Sequence, residues 1–201
     1  MARSRDDPKL YWIDPEQRAI IPLEAFHISK SLQKTLRSKH FEIRCDTAFE
    51  QVMRVCGEAA DDRPDTWINE EIVRLFVELH QLGLAHSVET WRDGRLVGGL
   101  YGVALGGAFC GESMFSRETD ASKVALVHLV ARLKQGGFTL LDVQFVTDHL
   151  QRFGAIEISR EEYQARLADA IHLSAFFDRS PDLPWMAALD TPTPLRETPP
   201  I

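Results

Sequence analysis

Apolar residues recur along the chain with two periods, and the change from one period to the other predicts a sheet flanked by helices. Period-two or continuously apolar runs predict strands, whereas spacings of three and four residues predict helices. The predicted strands cover residues 19–23, 41–45, 85–92, two segments within 96–117, and 138–145. The predicted helices run from Ser29 to Arg37, from Thr47 to about Cys56, from Asn69 to Gly83, from Asp120 or Ser122 to Gly136, around 148–153, and from Ser159 to about Ile171.

A glycine-rich hairpin lies at the centre of this pattern, in the stretch from Leu96 to Arg117. The Gly106-Gly107 pair predicts its turn, because glycine supplies the positive φ angles that two-residue hairpin loops require. Five small residues interrupt the two strands at Gly98, Gly99, Gly102, Ala104 and Gly111. Either a ligand lies across this part of the sheet, or a helix packs closely on it.

The order of elements is an antiparallel meander, a long helix, and then an apolar strand laid beside the meander. This order predicts an α/β (α+β) domain with a mostly antiparallel mixed sheet flanked by helices. It resembles the GCN5-related N-acetyltransferase-like fold, in which the ligand cleft opens where neighbouring strands diverge. The last 21 residues hold six of the ten prolines, which predicts a coil packed on the surface or disordered.

Composition narrows the class of protein. The chain has 201 residues, 44% of them hydrophobic, and a net charge of −7, which argues against non-specific coating of nucleic acid but leaves room for a local basic patch. No apolar run approaches the roughly 20 residues of a membrane span, and the first residues lack the apolar core of a signal peptide. We therefore expect a cytoplasmic protein without a membrane partner. Three cysteines without a CxxC pair indicate reduced, buried thiols.

Two polar residues, Asp142 and Gln144, interrupt the apolar strand near the end of the chain. Residues two apart on a strand point to the same face, so these side chains are expected side by side. They are candidates for chemistry, although a structural role for the carboxylate explains the pattern equally well. Glu112 is a second acid in an apolar context. The seven histidines form no HxH or HExxH pair, so metal chemistry has little support.

Two phosphate-binding patterns are missing from the sequence. No GxGxxG or Walker loop is present, and the (Gln/Arg)-x-x-Gly-x-(Gly/Ala) turn that grips the pyrophosphate of coenzyme A is replaced by residues 116–120, SRETD. This argues against acetyl-CoA as the substrate. The helix after Ser29 exposes Lys30, Lys34 and Arg37, for which a solvated helix face is the simpler explanation.

Several blocks of sequence together resemble the leucyl/phenylalanyl-tRNA–protein transferase family. The blocks are Trp67-Ile68, Leu79-His80 with Gly83, HSVETW at 86–91, LVGGLYG at 96–102, FCGESMFSR at 109–117, ASKVAL at 121–126, and Asp142-x-Gln144 with Asp148-His149 and Gly154-Ala155. The match runs from about Trp12 to Ile171. The nine-residue FCGESMFSR block is its most specific part.

The resemblance implies an enzyme that moves leucine or phenylalanine from its tRNA onto the N-terminal Arg or Lys of a protein, which marks that protein for N-degron proteolysis. It implies no cofactor, no metal and a monomer. In the family Asp142 would orient Gln144, and the pair would help to deprotonate the attacking amine. Glu112 would recognise the aminoacyl end or the positive N-terminus of the acceptor, and Trp67 would stack on the terminal adenine.

The resemblance also implies further binding residues and a division of the chain. The remaining substrate-binding candidates are Leu100, Phe109, Ser113, Met114, Leu126 and Leu129. The tRNA-binding candidates are Trp12, Lys30, Lys34, Arg37 and Arg117. Family members usually begin with a helical segment before the Tyr11-Trp12 pair, so we interpret 1–18 as the remnant of a shortened N-terminal segment, 19–179 as the catalytic domain, and 180–201 as a Pro-rich C-terminal tail.

Two other functions are compatible with the residues. One is an N-acyltransferase that uses acyl-CoA on the same fold. The other is a module that binds tRNA ends or N-terminal residues without catalysis. Incubation with labelled Phe-tRNA and a peptide that begins with Arg distinguishes the three functions, because only the aminoacyltransferase produces a Phe-Arg-peptide.

Overall fold

A seven-stranded sheet with helices on both faces forms the molecule, of which the computed structural model describes residues 4–7, 9–58 and 65–190. The strands are β1 (Gln17–Ile20), β2 (Glu42–Cys45), β3 (Ala85–Arg92), β4 (Arg95–Leu105), β5 (Ala108–Ser116), β6 (Leu140–Gln144) and β7 (Ile156–Ser159). The helices are α1 (Lys30–Arg37), α2 (Phe49–Cys56), α3 (Glu70–Gln81), α4 (Ala121–Gln135), α5 (Asp148–Gln151), α6 (Arg160–Ile171) and α7 (Trp185–Leu189).

The strand order is β2-β3-β4-β5-β6-β1-β7, and only the neighbours β5 and β6 are parallel. These two strands pair over three positions, from Ala108 opposite Leu140 to Cys110 opposite Asp142. Beyond Cys110 the ladder between them ends, while β5 continues to Ser116. The predicted mostly antiparallel mixed sheet flanked by helices is confirmed, and a gap opens between its two parallel strands.

Hydrophobic clusters cover both faces of the sheet. On one face α1 and α4 pack on β3, β4 and β6. On the other face α2 and α3 pack on β3 to β5, and a smaller cluster joins α6 to β1, β6 and β7. The helix α4 is buried along almost its whole length, which explains why its apolar residues extend around the helix instead of forming one stripe.

Local signals predicted most of the helix starts. Ser29, Asn69 and Ser159 accept hydrogen bonds from the main-chain N–H groups of the third residue on, as N-caps do. The capping box predicted from Thr47 is wrong. Its hydroxyl donates to the buried carboxylate of Glu89, and α2 begins after Ala48 instead.

Two segments differ from the prediction. The short strand β7 was not predicted, because its four residues lie between two helices and pair only with β1. The tail is not entirely coil, since α7 packs on α4 through Leu183 and Ala188, and residues 191–201 lie outside the described part. The first strand also differs from the predicted range 19–23, because it runs from Gln17 to Ile20 and therefore includes Arg18.

Close packing accounts for the small residues of the central hairpin. A Cβ atom at Gly98 would lie 2.5 Å from the Cβ atom of Ala121 at the start of α4. A Cβ atom at Gly102 would collide with the ring of Phe109 and the carbonyl of Cys110. Of the two alternatives for this stretch, a closely packed helix accounts for Gly98, whereas Gly102 is crowded by the neighbouring strand β5 and Gly111 borders a cavity.

Candidate active site

A cavity of about 260 Å³ lies where β5 and β6 part, enclosed by β4, β5, β6, α4 and α5. Six of the predicted substrate-binding residues line it: Leu100, Glu112, Ser113, Met114, Leu126 and Leu129. Most of its wall is apolar. The structure thus brings together side chains that are up to 29 positions apart in the sequence, from Leu100 to Leu129.

The wall also contains residues that the sequence reasoning missed. Leu141 and Val143 come from β6, and Thr147, His149 and Leu150 come from the turn of helix that follows. Period-two alternation could have found Leu141 and Val143, because they point away from the face that carries Asp142. No pattern in the sequence places α5 over the cavity.

His149 adds a polar atom to this wall. Its Nε2 atom is buried and has no hydrogen-bond partner among the described residues. Burial, followed by the positive charges of Lys123 and Arg152, lowers the pKa of the imidazole. The ring is therefore neutral around pH 7.

Glu112 is the acidic group of the cavity. Burial raises the pKa of its carboxyl, the hydrogen bond from Gln144 opposes this rise, and the nearby charge of Asp142 adds to it. The Nε2 atom of Gln144 donates to Glu112 Oε2 at 3.0 Å and to the Gly111 carbonyl at 3.3 Å. A cation placed beside Glu112 would favour its ionised form.

Gln144 ends β6 in an unusual backbone conformation, with φ at +66°. Its main-chain N–H donates to Asp142 Oδ1 at 2.8 Å. The link between the two residues is this main-chain hydrogen bond, and the strand alternation that predicts side-by-side side chains ends at the left-handed conformation of Gln144. The side-chain amide of Gln144 is oriented by Glu112 and Gly111 instead of by Asp142.

Asp142 is fully buried and does not line the cavity. Arg18 of β1 donates to it from Nε at 2.9 Å and from Nη2 at 2.6 Å, and the hydroxyl of Tyr163 in α6 donates at 2.9 Å. Partial burial opposes the positive charge of Arg18. The hydrogen bonds to Asp142 and the negative charge of Asp142 outweigh this effect and raise the pKa of Arg18. The sequence reasoning missed Arg18 and Tyr163, which lie 124 and 21 positions from Asp142.

Two predicted substrate-binding residues lie outside the cavity. Phe109 is fully buried, with its ring 6.4 Å from that of Phe138 and 5.9 Å from that of Phe177. Trp67 is half-buried and packs against the cluster of α2 and α3. Neither side chain lines the cavity in the described structure.

The predicted tRNA-binding residues lie on the surface. Trp12 is 98% exposed. Lys30, Lys34 and Arg37 are exposed on α1, whose opposite face buries Leu32 and Leu36. Arg117 pairs with Glu58 at 2.8 Å. Lys34 and Arg117 also line one open groove, which includes a further cation, Arg92.

Neither a metal-binding cluster nor a membrane-spanning helix occurs in the described ranges 4–7, 9–58 and 65–190. Within them no three His, Cys, Asp or Glu side chains are grouped so that they could hold a metal ion. Within the same ranges no helix combines the length and the apolar character needed to cross a bilayer.

A meander, a long helix and a strand parallel to the last strand of the meander form a mixed α/β domain around an apolar cavity. The comparisons with known proteins name the family. The model of the family described as "Leucyl/phenylalanyl-tRNA protein transferase" matches residues 20–168. The chain belongs to this family.

Curated relatives carry the same name, leucyl/phenylalanyl-tRNA–protein transferase. The protein of Paramagnetospirillum magneticum is 72% identical over 94% of this chain and 90% of its own length. The protein of Rhodospirillum rubrum is 55% identical over 96% of this chain and 90% of its own length. Among solved structures, L-PGS from Bacillus licheniformis aligns at 15% identity with a TM-score of 0.42, over 68% of this chain and 50% of that chain, which is too low to bear on the assignment.

Proposed function

We propose that this enzyme transfers leucine or phenylalanine, and some methionine, from aminoacyl-tRNA to the N-terminal Arg or Lys of acceptor proteins. The α-amine nitrogen attacks the ester carbonyl carbon, a peptide bond forms, and the carbon–oxygen bond to the terminal ribose breaks. The ribose oxygen takes up the proton that the amine loses. The new N-terminal residue then marks the acceptor for N-degron proteolysis.

The observation that carries this proposal is an apolar cavity with one half-buried acid, Glu112, at the gap between β5 and β6. Leucine and phenylalanine are unbranched at Cβ and fit such a wall, whereas isoleucine and valine would clash. Apolar pockets distinguish side chains by only about 1–3 kcal/mol per methylene, so methionine is expected to be transferred as well. Glu112 would bind the positive N-terminus of the acceptor or the aminoacyl end.

Gln144 does not itself line the cavity, but its side-chain amide is bound to Glu112 and Gly111, which do, and we expect the attacking amine to reach it beside Glu112. Its Nε2 atom is already bound to Glu112 and Gly111, while its Oε1 atom accepts no hydrogen bond from a described residue. That oxygen is available to accept a hydrogen bond from the amine. An α-amine has a pKa of about 8, so little basic assistance is needed near neutral pH. Most of the rate would come from positioning, because the ester is already activated.

The tRNA would approach over α1. Lys30, Lys34 and Arg37 would contact its phosphates. The adjoining groove adds Arg92 and Arg117, which are paired with Glu118 and Glu58. The fully accessible ring of Trp12 suits stacking on the terminal adenine, a contact worth about 1–3 kcal/mol per base. Trp67 would need to turn out of its cluster to do the same.

The direct test is to incubate the protein with labelled Phe-tRNA and two peptides that differ only in beginning with Arg or with Ala. We expect a Phe-Arg-peptide and no product from the Ala peptide. The Gln144→Ala variant should still protect Phe-tRNA from hydrolysis but form almost no product. If acetyl-CoA is used instead of Phe-tRNA, or if Phe-tRNA is bound without turnover, the proposal is wrong.

The proposal also includes the setting in which the enzyme acts. We place it in the cytoplasm, where aminoacyl-tRNA is made, and as a monomer. Sedimentation at micromolar concentration should give one species of 22.8 kDa, and a dimer would contradict it.

A further inference from the structure

We propose that Arg18 and Tyr163 are positioning residues, which fix Gln144 at the reacting centre through the carboxylate of Asp142. Neither side chain lines the cavity, and both are bound to Asp142 instead of to a residue that lines it, so neither would touch a substrate there. The inference rests on the proposed function, because its effect is measured in the transfer reaction.

The first step is the set of contacts around Asp142. Arg18 reaches Oδ1 at 2.9 Å and Oδ2 at 2.6 Å with two nitrogens of its guanidinium, which is the two-pronged geometry that Arg adopts with carboxylates. Tyr163 adds a hydrogen bond to Oδ2 at 2.9 Å. These donors come from β1 and α6, so one carboxylate connects three elements.

The second step leads from Asp142 to Gln144. The main-chain N–H of Gln144 donates to Asp142 Oδ1, and this bond holds the residue in the left-handed region at φ +66°. A residue other than glycine keeps that conformation only where its surroundings impose it. The conformation directs the side chain towards Glu112 and Gly111, beside the gap between β5 and β6.

The third step concerns what Asp142 can do chemically. Its Oδ1 atom already accepts two hydrogen bonds and its Oδ2 atom three, and its charge is balanced by Arg18. Little capacity remains to receive a proton from an incoming amine, and the residue is fully buried. Asp142 therefore acts as an anchor for Gln144, and the contact with the amine is left to Gln144.

The test is steady-state transfer of phenylalanine to a peptide that begins with Arg. Tyr163→Phe removes one hydroxyl and should lower kcat about tenfold, the effect of one hydrogen bond to a charged group. Arg18→Lys keeps the charge but loses the two-pronged contact, and it should lower kcat about 100-fold, as displacements near 1 Å do. In both variants the Kd for Phe-tRNA should equal that of the wild type.

Leu167→Ala is the matched control for stability. Leu167 lies one turn from Tyr163 on α6 and packs in the same cluster, but its side chain has no group that could donate a hydrogen bond to Asp142. It should lower the melting temperature at least as much as Tyr163→Phe and leave kcat unchanged. Equal kcat losses in Leu167→Ala and Tyr163→Phe would overturn the inference.

The decisive measurement combines Tyr163→Phe with Gln144→Ala. If Tyr163 acts through Gln144, its substitution should not lower kcat further once the Gln144 amide is gone, although the melting temperature still falls. An undiminished tenfold loss in the double variant would overturn the positioning role. A wild-type enzyme that forms no Phe-Arg-peptide would instead overturn the proposed function, so the two failures are distinct.

Discussion

Two carboxylates are fully buried in the sheet, one on each side of β5, and they serve different purposes. Glu89 of β3 accepts hydrogen bonds from the main chain of Thr47 and Ala48 and from the side chains of Ser87 and Trp91. These donors are neutral, and two of them lie just before α2. Asp142 of β6 is bound to a cation, a phenol and the main chain of Gln144.

The pairing of the strands separates the two residues. Glu89 lies between two complete ladders, opposite Arg44 on β2 and Gly99 on β4. Asp142 forms the last paired position between β5 and β6, and the cavity begins beside it. A buried acid is therefore not a sign of catalysis by itself. What distinguishes Asp142 from Glu89 is its place at the end of a ladder, beside a cavity.

The largest expected effect on kcat comes from comparing two variants that each remove the charge of one buried acid, Asp142 or Glu89. Asp142→Asn should lower kcat about 100-fold, because Gln144 loses its anchor. Glu89→Gln should leave kcat per folded molecule unchanged, although an NH2 group would then face several N–H and O–H donors. Both variants should lose about 3 kcal/mol of unfolding free energy, since buried polar groups lose their partners.

Urea unfolding combined with transfer kinetics distinguishes these outcomes. The unfolding data give the folded fraction, so that kcat is counted per folded molecule. A kcat loss in Glu89→Gln as large as that in Asp142→Asn would remove the distinction between the two acids.

The sequence predicted this region well where the signal was local. The apolar run predicted β6, which is observed from Leu140 to Gln144, and the glycine pair at 106–107 predicted the hairpin turn. The partners of Asp142 could not be predicted in this way. Arg18 and Tyr163 reach it only because β1 inserts between β6 and β7 and α6 packs beneath them, which depends on the order of strands in space.

The two aromatic candidates show a second limit of the sequence. A resemblance assigns a role to a position, but the contacts of Phe109 and Trp67 depend on the packing around them. Phe109 packs with Phe138 and Phe177, and Trp67 packs with α2 and α3. Their predicted roles in binding remain predictions, and a structure with a bound aminoacyl-tRNA analogue would test them.

The second prediction extends the comparison to the exposed helices. On α3, Arg74 pairs with Glu71 and Glu78 at 2.6 and 2.5 Å, whereas Lys30, Lys34 and Arg37 of α1 pair with no described residue. Charge reversal of the three α1 residues should weaken tRNA binding and lower the slope of log K against log salt by about one for each phosphate that the protein no longer neutralises.

Arg74→Glu is the control for this experiment, because it changes the charge of the protein as one α1 substitution does. It should leave the salt slope unchanged. If the triple α1 variant also keeps the wild-type slope, α1 is only a solvated helix face. Filter binding of Phe-tRNA over a range of salt concentrations measures both.

The third prediction separates cavity residues from core residues on α4. Leu129 and Leu133 are both almost fully buried, but only Leu129 lines the cavity. Each substitution to Ala should cost about 2–5 kcal/mol of unfolding free energy. Leu129→Ala should also shift competition between Leu-tRNA and Phe-tRNA about tenfold towards Phe, because the pocket grows. Leu133→Ala should leave this competition unchanged. An equal shift in both variants would show that substitutions in α4 change selectivity by destabilising the whole helix and not by enlarging the cavity.

The smallest expected effect is a pH dependence at Glu112. Burial raises the pKa of this carboxyl, so the folded state binds its proton more tightly than the unfolded state does. Stability due to this group is then highest below the ordinary pKa of about 4.3, falls as the pH rises towards the raised value, and stays low above it. Glu112→Gln removes the titration, and its unfolding free energy relative to wild type should rise with pH over that window and then level off.

At pH 7 we expect Glu112→Gln to raise the unfolding free energy and Glu89→Gln to lower it. The carboxylate of Glu89 is held by many donors, so its loss is destabilising. Urea unfolding of both variants between pH 4 and pH 8 therefore compares two acids. Glu89 has its hydrogen-bond acceptors filled by the protein, whereas Glu112 is proposed to bind a positive amine. A stability difference for Glu112→Gln that is constant over this range would mean that Glu112 is as well satisfied as Glu89. The cavity would then lack its binding group for a positive amine.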